Sequence, residues 1–77
     1  MAGLERLCDL QIGETAVIRR LWSEEGIRRR LLDMGMIEGT VIECVGKSPH
    51  QDPCAYLVRG AVIAIRKRDG KKILVER

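Results

Sequence analysis

Leu4, Leu7, Cys8 and Leu10 recur at helical spacing, which predicts a helical turn over the first ten residues that lids a core. Gly13-Glu14 then turns the chain into Thr15 to Trp22, a run rich in strand formers: Ala16, Val17, Ile18, Leu21 and Trp22. Ile18 and Leu21 cannot face one side of a regular strand, whose side chains alternate, so a bulge is expected near Arg19-Arg20. Ser23 can cap a helix, with Glu24 and Glu25 well placed against the positive end of its dipole. Gly26 weakens that first turn by about 1 kcal/mol relative to alanine, so regular helix is expected from Ile27. Ile27, Leu31 and Met34 share one stripe, the core face. Arg28, Arg29 and Asp33 point elsewhere, and so does Leu32, well round the helical wheel from that stripe.

Strands make up the second half. Thr40 to Ser48 alternates in part, Ile42 and Cys44 against Glu43. Ser48 to Pro53 reads as a loop, with two prolines, Asp52 and no apolar residue. Ala55 to Arg59 and Ala61 to Lys67 are two further strands with Gly60 in the tight link between them. Asp69-Gly70 is a hairpin signal, and Ile73 to Glu76 closes the sheet. Five short strands with one short helix between the first two, and a helical turn in front, describe a small, mostly β barrel. Ile18, Leu31, Ile42, Ile63 and Ile73 lie on the apolar phases of their elements and should be buried together.

The organising stretch is Arg28 to Thr40. Leu31-Leu32-Asp33-Met34 ends the helix, Gly35 stops it in a left-handed conformation, and Gly39 four residues later launches a strand. The run Arg30-Leu31-x-x-Met34-Gly35-Met36-x-x-Gly39-Thr40 resembles the signature of the ferrous-iron transport protein A (FeoA) family. Before it stands Leu7-x-x-Leu10-x-x-Gly13-Glu14. After it come Ser48-Pro49-x-x-Asp52-Pro53 and Gly60-x-x-x-Ala64-Ile65-Arg66, so the likeness covers nearly the whole chain in order. It implies one SH3-like β-barrel domain over residues 1–77 in a small cytoplasmic protein, partner of the membrane iron transporter FeoB. Two stretches depart from the family pattern. Asp69-Gly70 stands where many members carry a helical turn with an alanine, so a plain hairpin is expected. Lys47-Ser48 and His50 make the loop more polar than usual.

Length and composition agree with one small domain. Seventy-seven residues bury only about 60% of the surface of the unfolded chain. The hydrophobic fraction is 45% and the charged fraction 32%, enough for one core in a well-solvated shell. The longest uninterrupted apolar run has about five residues, against the ~20 of a membrane-spanning helix. The start, MAGLERLCDL, lacks the apolar stretch of a signal peptide, so a cytoplasmic protein is expected, touching the membrane only through its partner. Three cysteines without a C-x-x-C spacing predict free thiols rather than a disulfide framework. The net charge of +3 permits an acidic partner without requiring one.

Candidate chemistry is sparse. His50-x-Asp52-x-Cys54 could seed a transition-metal site, but it falls short of the four ligands that zinc takes, and only distant Cys8 or Cys44 could add to it. No cofactor is expected, and folding should not depend on metal. Arg28-Arg29-Arg30 and Arg66-Lys67-Arg68 with Lys71-Lys72 are basic clusters. Single-strand nucleic-acid binders add aromatic platforms, and the aromatics here are Trp22 and Tyr56 only, which argues against nucleic acid. The same shortage argues against a proline-peptide groove of SH3 type. A P-loop is absent and the single histidine has no evident nucleophile beside it, so no enzyme is expected. Glu24 and Glu25 stand where they can pair with Arg28 and Arg29. Leu32 either packs under the N-terminal turn or marks a partner surface with Met36, Arg28 and Arg29.

The expected protein is therefore an accessory or regulatory protein of ferrous-iron transport that binds the cytoplasmic portion of FeoB through Arg28, Arg29, Leu32 and Met36. Two rivals remain: a stand-alone module like the SH3-like domain of iron-dependent repressors, and a nucleic-acid-binding β-barrel.

Overall fold

Runs of alternating and β-branched residues become antiparallel strands wherever one face can be buried. The computed structural model describes residues 3–21 and 25–77. In chain order it contains β1 (Leu4–Arg6), a 3-10 turn (Leu7–Asp9), β2 (Thr15–Leu21), α1 (Glu25–Asp33) and β3 (Val41–Lys47). There follow β4 (Cys54–Val58), β5 (Ala61–Ile65), the short helix α2 (Lys67–Gly70) and β6 (Ile73–Glu76). The six strands form one sheet in the order β1-β6-β2-β3-β4-β5. Trp22, Ser23 and Glu24, with the expected cap, lie outside the described residues, as do the side chains of Glu25 and Ile27.

The inner face of the sheet carries the core. Ile18, Leu31, Ile42, Ile63 and Ile73 belong to one buried cluster, as their phases required. Tyr56 is buried among them, and its hydroxyl donates to the Leu7 carbonyl at 3.3 Å. That bond fastens the N-terminal turn over the core, with Leu7 and Leu10 fully buried. The β2 bulge falls where the sequence puts it: Ile18 pairs with Val75 and Arg20 with Leu74, leaving Arg19 extra. The extra residue lets Ile18 and Leu21 both face inward. A second bulge in β3, between Cys44 and Gly46, leaves Val45 exposed and explains why alternation is only partial there.

Three expectations are corrected. Among the described residues the sheet does not close into a barrel; β1 and β5 remain at its edges, and there are six strands, not five. The sixth is β1, read as part of a helical turn from the spacing of Leu4. Its residues pair with β6 as Leu4↔Glu76, Glu5↔Val75 and Arg6↔Leu74, which satisfies backbone groups that β6 would otherwise expose. Leu4 points outward and only Leu7–Asp9 is helical. The short helix α1 accordingly follows the second strand. Finally, Asp69-Gly70 is not a hairpin. β6 lies between β1 and β2 and is not a neighbour of β5, so a two-residue turn cannot join them. The link is α2, where Gly70 N–H donates to the Arg66 carbonyl at 2.9 Å and Lys71 N–H to that of Lys67 at 3.0 Å.

Candidate functional site: the outer face of the helix and its glycine corner

The end of α1 fixes which residues face out. Gly35, at φ +91°, follows the helix. Its N–H donates to the Leu32 carbonyl at 3.0 Å, and Met36 N–H donates to that of Leu31, also at 3.0 Å. This is the paired pattern of a Schellman motif, which normally comes with an apolar contact between the two residues joined by the longer bond. Leu31 and Met36 sit in the same core cluster, 2% and 0% exposed. Met36 is thus drawn inward by the motif that ends the helix. The expectation that it lines an exposed partner surface is corrected.

The opposite face of α1 is open. Arg28, Arg29, Leu32 and Asp33 line a shallow depression of about 240 Å³. The spacing i, i+1, i+4, i+5 makes them one stripe, one turn deep. Leu32 is 38% exposed and so does not pack beneath the N-terminal turn. Arg28, Arg29 and Arg30 are all exposed. The pairing of Glu24 and Glu25 with these arginines lies outside what is described. Asp33 also lines the depression, although no pattern in the sequence singles it out; it stands at the helix end where the dipole disfavours an acid.

A second residue missed by sequence reasoning is Arg59. It forms, with Gly60, the two-residue link between β4 and β5, with φ of +51° and +82°. Positive φ at both positions marks a type I′ turn, in which asparagine, aspartate or glycine is usual at the first place. An arginine there is strained locally, and its side chain is laid against the helix corner: a Cβ built on Gly35 would lie 3.2 Å from Arg59 Cδ. The signal available was a bulky residue directly before Gly60.

The loop Ser48–Pro53 does not assemble ligands. His50 and Asp52 are exposed, whereas Cys54 is 3% exposed and its thiol donates to the Gln51 carbonyl at 3.2 Å. Asp52 is occupied with backbone, accepting from Lys67 N–H at 2.9 Å. Among the described residues no group of three or more His, Cys, Asp or Glu side chains is placed to hold a metal ion. Cys8, Cys44 and Cys54 are free thiols. Burial pushes the Cys8 and Cys44 thiols up from their ordinary value, so they are poor thiolates at neutral pH. Burial also pushes the Tyr56 hydroxyl well up.

Comparison with known proteins settles the lineage. The FeoA domain matches residues 5–77. The chain belongs to the FeoA family. It is 37% identical over 71 residues to an Fe(2+) transport protein A/Fe(2+) transporter FeoB fusion protein of Porphyromonas gingivalis. That match takes in 92% of this chain but only 8% of the length of the relative. Among solved structures, a FeoA-like protein from Clostridium acetobutylicum is 36% identical at a TM-score of 0.86, covering 99% of this chain and 88% of that one. Stenotrophomonas maltophilia FeoA complexed with zinc, described as an SH3 domain protein, is 26% identical at a TM-score of 0.75, covering 97% and 88%. T. acidophilum IdeR is 28% identical at 0.83, covering 96% of this chain and 34% of IdeR. The fold is thus SH3-like, shared between FeoA proteins and part of a larger IdeR chain. No helix among the described residues is long and apolar enough to cross a membrane.

Proposed function

We propose that this FeoA-family chain is an accessory protein of ferrous-iron transport that acts by binding the cytoplasmic portion of a FeoB transporter, using the outer face of α1. The observation that carries this reading is the Porphyromonas gingivalis fusion, in which a homologous segment and a FeoB transporter share one polypeptide. Covalent linkage raises the effective concentration of two parts that work together, often into the millimolar range. The α1 surface has the make-up of a contact patch. An exposed leucine rimmed by two arginines offers apolar area to desolvate and charges to steer approach. Binding in the cytoplasm, without catalysis by this chain, is part of the same reading.

Calorimetry against the purified cytoplasmic part of FeoB tests it. Leu32→Ala should weaken binding by ~1–2 kcal/mol, more than most interface residues contribute, with the melting curve nearly unchanged. Arg28→Glu should slow association, more at low salt than at high. Wild-type affinity and association rate in both folded variants would remove α1 from the interface.

A second reading, a stand-alone regulatory module, is supported by the likeness to T. acidophilum IdeR. It is favoured if the chain fails to bind FeoB but binds a repressor-type protein.

A further inference from the structure

β5 forms one edge of the sheet. Among the described residues β5 pairs with β4 alone, as Val58↔Ala61, Leu57↔Val62, Tyr56↔Ile63, Ala55↔Ala64 and Cys54↔Ile65. A two-residue link makes Val58↔Ala61 the hydrogen-bonded closing pair, so every second pair, Tyr56↔Ile63 and Cys54↔Ile65, is hydrogen-bonded too. The N–H and C=O groups of Val62 and Ala64 therefore point away from β4, towards the outer side of the edge. Val62 is 65% exposed, and Ala64 is exposed beside it.

Natural edges are usually blunted by a charge, a proline or a bulge within the strand. Ala-Val-Ile-Ala-Ile contains no charge or proline, and its register with β4 is unbroken. The charges stand at its two ends instead: Arg59 before it and Arg66, Lys67 and Arg68 after it, all exposed. Among the described residues none of these four enters an ion pair. The far cluster is held in place because Asp52 takes the Lys67 N–H.

We propose that β5 binds an extended segment of a partner protein that adds a seventh strand to the sheet, with a short apolar or β-branched centre and acidic residues at both ends. The charge pattern selects this occupant. A second copy of the chain, paired antiparallel about Ile63, would set Val62 opposite Ala64 and bring the Arg59 end of one copy towards the Arg66-Lys67-Arg68 end of the other. Like charges brought together across a strand pairing destabilise it. An acidic flank at each end converts both repulsions into attraction. The five residues Ala61–Ile65 span about 17 Å, which sets the separation of the acidic flanks. Strand addition draws affinity from main-chain hydrogen bonds and specificity from the side chains. This proposal needs no transporter, and it meets the α1 site only at Arg59.

The test uses a synthetic peptide with Val-Thr-Val-Thr-Val at its centre and an Asp-Glu pair on each side, titrated into the isotopically labelled full chain. A control peptide carries lysines in place of the acids. The acidic peptide should bind in a salt-sensitive way and slow amide exchange at Val62 and Ala64 by tenfold or more. The lysine peptide should bind at least tenfold more weakly. Ala64→Pro removes one outward donor at an edge position where proline is tolerated, and should abolish the protection; Arg66→Glu should weaken binding while leaving the melting curve unchanged. Absence of binding, equal affinity for both peptides, or shifts confined to α1 would overturn the proposal. So would self-association that protects Val62 and Ala64 without peptide, or a single-stranded oligonucleotide that displaces the peptide and binds more tightly.

Discussion

Leu31 and Leu32 are adjacent, chemically identical and on opposite sides of the boundary between core and solvent, so truncating each in turn measures what the helix contributes. Leu31 is 2% exposed and packed in the central cluster; Leu32 is 38% exposed and lines the outer depression. Leu31→Ala removes buried methyl groups and leaves a cavity that the surrounding sheet can only partly fill, a loss of ~2–5 kcal/mol. At ~0.05–0.15 kcal/mol per residue, a chain of this length holds only ~4–12 kcal/mol in all. A loss of ~3 kcal/mol therefore lowers the melting temperature by roughly 12–24 °C, at 4–8 °C per kcal/mol for a domain of this size. Leu32→Ala gives up a partly solvated side chain and gains slightly in helix propensity, so it should cost less than ~1 kcal/mol. Urea unfolding followed by circular dichroism reads both, with unchanged slopes showing that only stability has moved. Equal losses in the two variants, or a Leu31→Ala protein within ~1 kcal/mol of wild type, would refute the orientation of α1.

Other outcomes follow from the corner, the termini and the thiols. Gly35→Ala should lose ~1–2 kcal/mol from its backbone conformation alone and more from the approach of Arg59. Gly13→Ala, at the same φ of +91° with no atom near, should show the backbone loss only, and identical melts would mean Arg59 yields freely. The hydrogen bond from Arg77 holds the Glu5 carboxyl below its usual range. Its folded pKa is thus depressed, so the stabilisation is present above the ordinary value near 4.5 and is lost as pH falls through the lower folded pKa. Melts between about pH 2.5 and 6 should show a shallower acid decline in Arg77→Ala than in wild type; parallel curves would dismiss the pair. The Cys8 and Cys44 thiols, raised by burial, should alkylate with iodoacetamide far more slowly at pH 7.5 in the folded protein than in urea, and equal rates would contradict their placement.

What could be read from the sequence was whatever is decided locally. The Arg19 bulge follows from two apolar residues three apart, and the Gly35 stop from a glycine after a helical stripe. What could not be read depends on strand order. That Leu4 belongs to a strand is decided by the vacant edge of β6, seventy residues away in sequence. That Asp69-Gly70 is not a hairpin is decided by β6 inserting between β1 and β2. Met36 shows a third kind of failure: the glycine was recognised, but not that its motif carries the following residue back to the core. At the outer face, Arg28, Arg29 and Leu32 were legible from helical phase, whereas Asp33 and Arg59 were not. Arg59 reaches the corner across the β4–β5 turn, a proximity that no local pattern contains.

The pairing of Leu4 with Glu76 puts the two ends of the described fold side by side at the β1 edge. A polypeptide spliced to either end leaves from almost the same spot, so swapping the order of two fused partners barely alters the reach between them. The β5 edge lies at the far end of the strand order, five strand spacings or about 24 Å along the sheet. A linker that follows the sheet from either end covers that path with about seven extended residues, and curling of the sheet brings the two edges nearer than the path along it. Shorter linkers hold a fused partner nearer β1 and β6. Linker length, rather than the choice of end, then governs how far over this domain a covalently attached partner can reach.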